Sequence, residues 1–148
     1  MSHTYSAIRV HVVFSTKGRA RAIPEDFQPR LWAYLAETAR NRAIHVLAIG
    51  GFDDHAHLLI APPPTVALSK LVQELKAISS KWMGEMGHLR FAWQQGFAAF
   101  SVSESHLPAV AEYIRNQREH HAKHTFEAEF LSLLRKHGIA YDPRYALG

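Results

Sequence analysis

The chain predicts an α+β sandwich of the ferredoxin-like kind: a four-stranded antiparallel sheet in the order β-α-β-β-α-β, followed by two extra C-terminal helices. Three observations carry this. One segment alternates apolar and polar residues as a half-buried strand does, a pair of short apolar runs brackets a glycine-rich turn, and long 3.6-period stripes fall between the strands. The 148 residues, 47% of them hydrophobic and 20% charged, suffice for one self-supporting core. A single domain over 1–148 is therefore expected, with no repeat, linker or low-complexity tract.

The elements follow in order. Tyr5–Ser15 sets Ile8, Val10, Val12 and Phe14 against Ala7, Arg9, His11 and Val13, the period of two of a strand with one face buried. A basic loop, Lys17 to Arg21, comes next. From Pro24 to about Arg42, Phe27, Leu31, Trp32, Leu35 and Ala39 recur at helical spacing, with Pro24 placed to open the helix. Ile44–Ile49 and His55–Ala61 read as a hairpin across Gly50 to Asp54, and Pro62, Pro63 and Pro64 end its second strand. Thr65 is placed to cap a helix striped by Leu68, Leu71, Val72, Leu75, Ile78 and Trp82. Phe91–Ser103 reads as a strand interrupted by Gly96. A helix over 107–122 carries Pro108 near its start, and a last helix over 126–137 has Thr125 as cap and Gly138 as stop. Two helices on one face would leave the other face of the sheet open.

Composition narrows the function. With no Cys, a disulfide framework, a thiolate-bound zinc or cluster and a Cys nucleophile are all excluded. No apolar run spans a bilayer and Met1–Arg9 lacks a signal-peptide pattern, so a cytoplasmic protein with no membrane partner is expected. The pI near 9.6 suggests a polyanionic partner, although a net charge of +4 is modest, and 11 His are a few times the usual usage, of which only some need be functional.

Two constellations could carry chemistry. In Asp54-His55-Ala56-His57-Leu58-Leu59-Ile60, a strand puts both imidazoles on one face, close enough to share a cation, while Ala56, Leu58 and Ile60 pack on the other. Two unengaged surface histidines are the simpler alternative. In the helix, Tyr113 and Gln117 lie one turn apart at the edge of the packed stripe of Val110, Ala111 and Ile114. Taken alone, Tyr113 need only cover the core. Taken together, the motifs fit one chemistry. A cation held by two imidazoles and an amide oxygen can bind and neutralise a phosphate, and a phenol can attack that phosphate in line. His120, His121 and His124 are either spare ligands, phosphate contacts or a solvated helix end. Asp54 can orient a ligand imidazole or cap the turn.

The sequence resembles the single-tyrosine HUH transposases of bacterial insertion sequences and their relatives associated with repetitive extragenic palindromes. The residues that carry the likeness are His11 to Lys17, Asp54 to Ile60, Leu75 to Lys81, Trp93 to Phe97 with Phe100 to Ser103, and Tyr113 to Gln117. The resemblance implies that Tyr113 is the nucleophile that joins a 5′ phosphate of cleaved single-stranded DNA. It also implies that His55, His57 and Gln117 ligate Mg²⁺ or Mn²⁺, that the substrate carries a hairpin, and that homodimers form, with sites that one subunit's tyrosine helix can complete in its partner. Ala56 departs from the family's bulkier residue between the two histidines, which bears on packing. Backbone contacts to DNA are expected from Arg9 and His11 on the first strand, from Lys17, Arg19 and Arg21 in the basic loop, and from Lys76 and Lys81 on the second helix. The alternatives are a non-catalytic module binding single strands, a hydrolase using a metal-activated water, and a domesticated nickase relative.

Overall fold

The structure is a computed structural model that describes residues 3–146; Met1, Ser2, Leu147 and Gly148, the ends of the expected 1–148 domain, lie outside it. Four strands form one antiparallel sheet: β1 (Val10–Ser15), β2 (His45–Gly51), β3 (His55–Ala61) and β4 (Ala98–Ser101), in the spatial order β2-β3-β1-β4. With α1 (Gln28–Arg40) between β1 and β2 and α2 (Leu68–Glu85) between β3 and β4, this is the ferredoxin-like arrangement. Its central strands β1 and β3 pair from Val10↔Ile60 to Ser15↔His55.

Alternation in β1 and β3 sorts side chains onto two faces. Val10, Val12 and Phe14 with Ala56, Leu58 and Ile60 point toward α1 and α2, where Leu31, Leu35, Leu71, Val72 and Leu75 complete a core. Burying each large aliphatic there contributes about 1.5–3 kcal/mol. Ala56 is fully buried in that core, so its small side chain is accommodated by packing on the side away from the imidazoles.

The second face is not open. Three further helices, α3 (Leu107–Arg115), α4 (Gln117–His121) and α5 (Phe126–Lys136), cover it. Ala111 and Ile114 of α3 pack on Ala48 and Leu59, and Phe126, Phe130, Leu133 and Leu134 of α5 pack on Val13, Ala98 and Phe100. An apolar stripe on α5 needs a surface to bury it, and the sheet's uncovered face is that surface.

Several boundaries move for local reasons. Pro24 opens a short 3₁₀ turn over Glu25–Phe27, and the α-helix proper starts at Gln28. Thr65 does not cap α2, whose N-cap is Ala67. The strand expected over Phe91–Ser103 shrinks to Ala98–Ser101. Upstream of it, β1 is paired instead by Gln94, whose side-chain oxygen accepts from the Ser15 hydroxyl at 2.7 Å and whose N–H donates to the Ser15 carbonyl at 2.9 Å. The single helix expected over 107–122 is broken at Asn116 (φ −97°, ψ 20°), which separates Tyr113 from Gln117 by a kink. Thr125 does cap α5, its hydroxyl accepting from the Ala128 N–H at 3.2 Å, and Gly138 follows with φ 67°.

Lys76, expected to contact DNA from the second helix, is buried. The stripe of α2 runs through Val72, Lys76, Ser79 and Met83, and Lys76 Nζ donates to the Gly96 carbonyl at 2.9 Å while Ser79 Oγ accepts from Trp93 Nε1 at 2.9 Å.

Candidate active site

β3 carries His55 and His57 on the face covered by α3, α4 and α5, and both side chains are fully buried. Burial of unpaired imidazoles is costly, and each finds partners. His55 Nδ1 donates to the Asp54 carboxylate at 2.8 Å, and its Nε2 lies 2.9 Å from Gln117 Oε1. His57 Nδ1 meets His11 Nε2 at 2.8 Å, and its Nε2 lies 3.1 Å from Glu129 Oε1. Tyr113, on α3, donates its hydroxyl to Glu129 Oε2. Its ring stands 5.8 Å from that of His57, edge on. The residues singled out in the sequence, His55, His57, Tyr113 and Gln117, are thus brought together from a strand and from both sides of the helix break.

Sequence reasoning missed Glu129 and left His121 undecided between a spare ligand, a phosphate contact and a solvated helix end. Glu129, on the first turn of α5, is 2% exposed. Its carboxylate also accepts from Gln117 Nε2 at 2.8 Å and faces His121 Nε2 at 3.1 Å. A signal was available: Glu129 sits three residues after Phe126 and one before Phe130, inside an apolar stripe where a carboxylate is out of place.

Electrostatics follow from burial. Desolvation takes His11 from 6.5 down to about 3 and His57 down to about 4, so both rings stay neutral at physiological pH. Burial opposes the charge on Glu129, but hydrogen bonds from His121 and His57 outweigh it and hold the carboxyl below its ordinary range. Tyr113 is pushed well above the usual phenol value, first by burial and then by the neighbouring Glu129 charge. Burial opposes protonation of His121, yet its bond to Glu129 raises it overall.

The donor set suits a divalent cation. A carboxylate can only accept, so His55 Nδ1 carries the proton of the neutral ring, and its Nε2 then points a lone pair at the Gln117 oxygen. The amide cannot be reversed without turning its oxygen toward Glu129. His121 Nδ1 donates to the His124 carbonyl at 2.7 Å, and its Nε2 faces the oxygens of Gln117 and Glu129 at 3.0 and 3.1 Å. The lone pairs of His55 Nε2 and Gln117 Oε1, which face each other at 2.9 Å, are what a bound cation would relieve. Ligand atoms of His55, His121 and Glu129 all lie within 4.8 Å of one another.

The expected DNA contacts divide. His11 is 3% exposed and turned onto His57, which places it in the interior of the site. Arg9 is partly buried, 3.9 Å from Glu104. Lys17, Arg19 and Lys81 are exposed, as is Arg21, which lies 3.8 Å from Asp53. Beside Tyr113 opens a cleft of about 710 Å³, lined among others by His11, Val110, His120, Glu129 and His137, which gives the tyrosine access from outside. No helix among the described residues is long and apolar enough to cross a membrane.

The chain has relatives among known proteins. Residues 4–117 match the family model described as IS200-like transposase. The chain is similar to the transposase for insertion sequence element IS200 of Salmonella typhimurium, 25% identical over 126 residues that cover 80% of this chain and 82% of that one. It is also similar to the ISDra2 transposase TnpA of Deinococcus radiodurans, 22% identical over 125 residues, 76% of this chain and 85% of the relative. Among solved structures, a candidate transposase of Deinococcus radiodurans superposes with a TM-score of 0.64 at 23% identity, covering 79% of this chain and 96% of that one. A REP-associated tyrosine transposase bound to a REP hairpin superposes at 0.60 and 17% identity, over 82% and 74% of the two chains.

Proposed function

The chain belongs to the IS200-like transposases, and we propose that it cleaves and rejoins single-stranded DNA at hairpin ends through a 5′-phosphotyrosine on Tyr113. The observation that carries this reading is the meeting of the Tyr113 hydroxyl and the His57 imidazole on one buried carboxylate, beside His55 and Gln117.

In this reading His55, His57 and Gln117 hold a divalent cation, Mg²⁺ or Mn²⁺. When bound, it neutralises and orients the scissile phosphate. Asp54 fixes the His55 ring, and His11 does the same for His57, so that each presents Nε2 toward Gln117 and Glu129. Burial and Glu129 keep Tyr113 protonated until a strand arrives, which protects the nucleophile at rest. On attack, the Tyr113 Oη–phosphorus bond forms and the bond to the 3′ oxygen breaks. The phenol gives up one proton and the released 3′ end gains one. One phosphoester replaces another, so the reverse reaction reseals a strand with no triphosphate.

The whole span 1–148 acts as one unit in this proposal, because α5 reaches back into the site. A homodimer in the cytoplasm is part of the same proposal. Within one chain the Tyr113 ring stands 5.8 Å from that of its own His57, which supports a site that a single subunit can complete.

Incubation with a labelled hairpin-bearing single strand and Mn²⁺ should give a denaturant-resistant protein–DNA adduct. Tyr113→Phe should bind the strand and form none. Cleavage that persists in Tyr113→Phe would assign the reaction to a water nucleophile.

A further inference from the structure

The family match ends at Gln117, yet the most densely engaged polar group of the site lies twelve residues beyond it, on α5. Glu129 Oε1 faces three imidazole nitrogens: His57 and His121 at 3.1 Å and His55 at 3.5 Å. Its other oxygen is held by Tyr113 and by Gln117 Nε2. The carboxylate is therefore anchored on one side and aimed on the other at the point where the imidazoles converge.

Charge explains what such a group is for. The ligand set His55, His57 and Gln117 is neutral, and a dication placed among neutral donors in a buried pocket keeps its full charge out of water. Before any phosphate arrives, something must offset it. Asp54 lies behind His55, on the far side of the ring, and Glu129 is the carboxylate that faces the donors directly. His121, held by the His124 carbonyl through Nδ1, offers a further imidazole from α4.

We infer that Glu129 and His121, both on the C-terminal helices, are additional ligands of the cation in the DNA-free protein. The inference rests on the reading that His55, His57 and Gln117 form a metal site. Adding a third imidazole and a carboxylate to that set favours the softer Mn²⁺ over Mg²⁺, which retains its waters and prefers oxygen ligands. It also ties α5 to the cation, so that the helix is held down more firmly when the site is filled.

The test is Mn²⁺ binding to the full chain without DNA, read from the free-Mn²⁺ electron paramagnetic resonance signal. Wild type should bind one Mn²⁺, and His55→Ala should lose it. Glu129→Gln, which keeps the shape and removes the charge, should weaken binding at least about tenfold, with Glu129→Asp in between. His121→Asn should weaken it by a smaller factor and provides the same reading if Glu129→Gln does not fold, with circular dichroism as the check. Mn²⁺ affinity unchanged in folded Glu129→Gln and His121→Asn, with His55→Ala still deficient, would overturn this inference and leave the three-ligand site standing. Mn²⁺ binding undiminished in His55→Ala would overturn both.

Discussion

His11 and His57 meet ring to ring across the two central strands, Nε2 to Nδ1 at 2.8 Å, with ring centroids 5.0 Å apart and nearly parallel. Val13 is the register partner of His57 and His11 that of Leu59, so the two histidines are diagonal neighbours on one face of the sheet. This contact fixes the orientation of His57 from behind, in the way a partner hydrogen bond fixes a ligating imidazole.

The first consequence is a positioning role for His11. His11→Phe keeps an aromatic ring in place but removes the nitrogen. Mn²⁺ affinity should fall roughly 10-fold or more, the measure typical of a ligand deprived of its supporting hydrogen bond. Isothermal titration calorimetry that found wild-type affinity in this variant would show that His57 is oriented without it.

Acid should unfold the metal-free protein through these rings. Both take up protons near pH 6.5 in the unfolded chain, but in the folded one only at about 3 for His11 and about 4 for His57. Between those limits the unfolded chain binds more protons. Stability present above about pH 6.5 is therefore lost as pH falls through this window. Glu129, held below the ordinary carboxyl value of 4.5, adds to the loss at its acid end. Melting curves should show Tm falling by more than about 5 °C between pH 7 and pH 4, with a shallower fall in His11→Gln. A flat profile over that range would contradict the neutral, buried assignment.

Close approach at the hairpin sets the position of the tyrosine helix. A side-chain carbon on Gly50 would run into the backbone carbonyl of Ile114, the residue after Tyr113. Gly50→Ala should therefore push α3 off β2 and cost about 1–3 kcal/mol or more. Urea denaturation is the measurement, and wild-type stability in Gly50→Ala would show that α3 has room to move.

The basic side chains should separate into two groups. Lys17, Arg19 and Arg21 are exposed, and replacing all three with Ala should flatten the salt dependence of single-strand binding, by about 0.7 in log–log slope for each phosphate that the variant no longer neutralises. Lys76 is buried against Gly96, so Lys76→Met should change stability while leaving that slope alone. An unchanged slope in the triple variant would place the DNA path elsewhere.

Assembly in cis or by exchange is open to a mixing experiment. Tyr113→Phe and His57→Ala chains are each expected to be inactive. A dimer that exchanges tyrosine helices would regain one intact site on mixing, whereas sites completed within each chain, with Tyr113 against its own His57, would give no recovery of adduct.

Sequence alone determined the order of the strands and what β1 and β3 display, while the first and last strands are shorter than expected, Val10–Ser15 for Tyr5–Ser15 and Ala98–Ser101 for Phe91–Ser103. Alternation is a local, period-two property, so the shared face of His55 and His57, the opposing face of Ala56, Leu58 and Ile60, and the order of elements were all readable from a few residues at a time. That Tyr113 and Gln117 share a side was expected from helical spacing, although the helix breaks between them at Asn116. Only the tertiary structure decided which faces are covered. The apolar stripe of α5 says that it packs, but the surface it packs on is fixed by competition among distant segments, and that choice closed the second face of the sheet, buried His11 and brought Glu129 to Tyr113. What Lys76 and Glu129 are paired with escapes a local reading for one shared reason. A charged side chain is stable inside only when a specific partner, the Gly96 carbonyl for one and a ring of histidines for the other, lies across from it, and no local pattern records a partner so far along the chain.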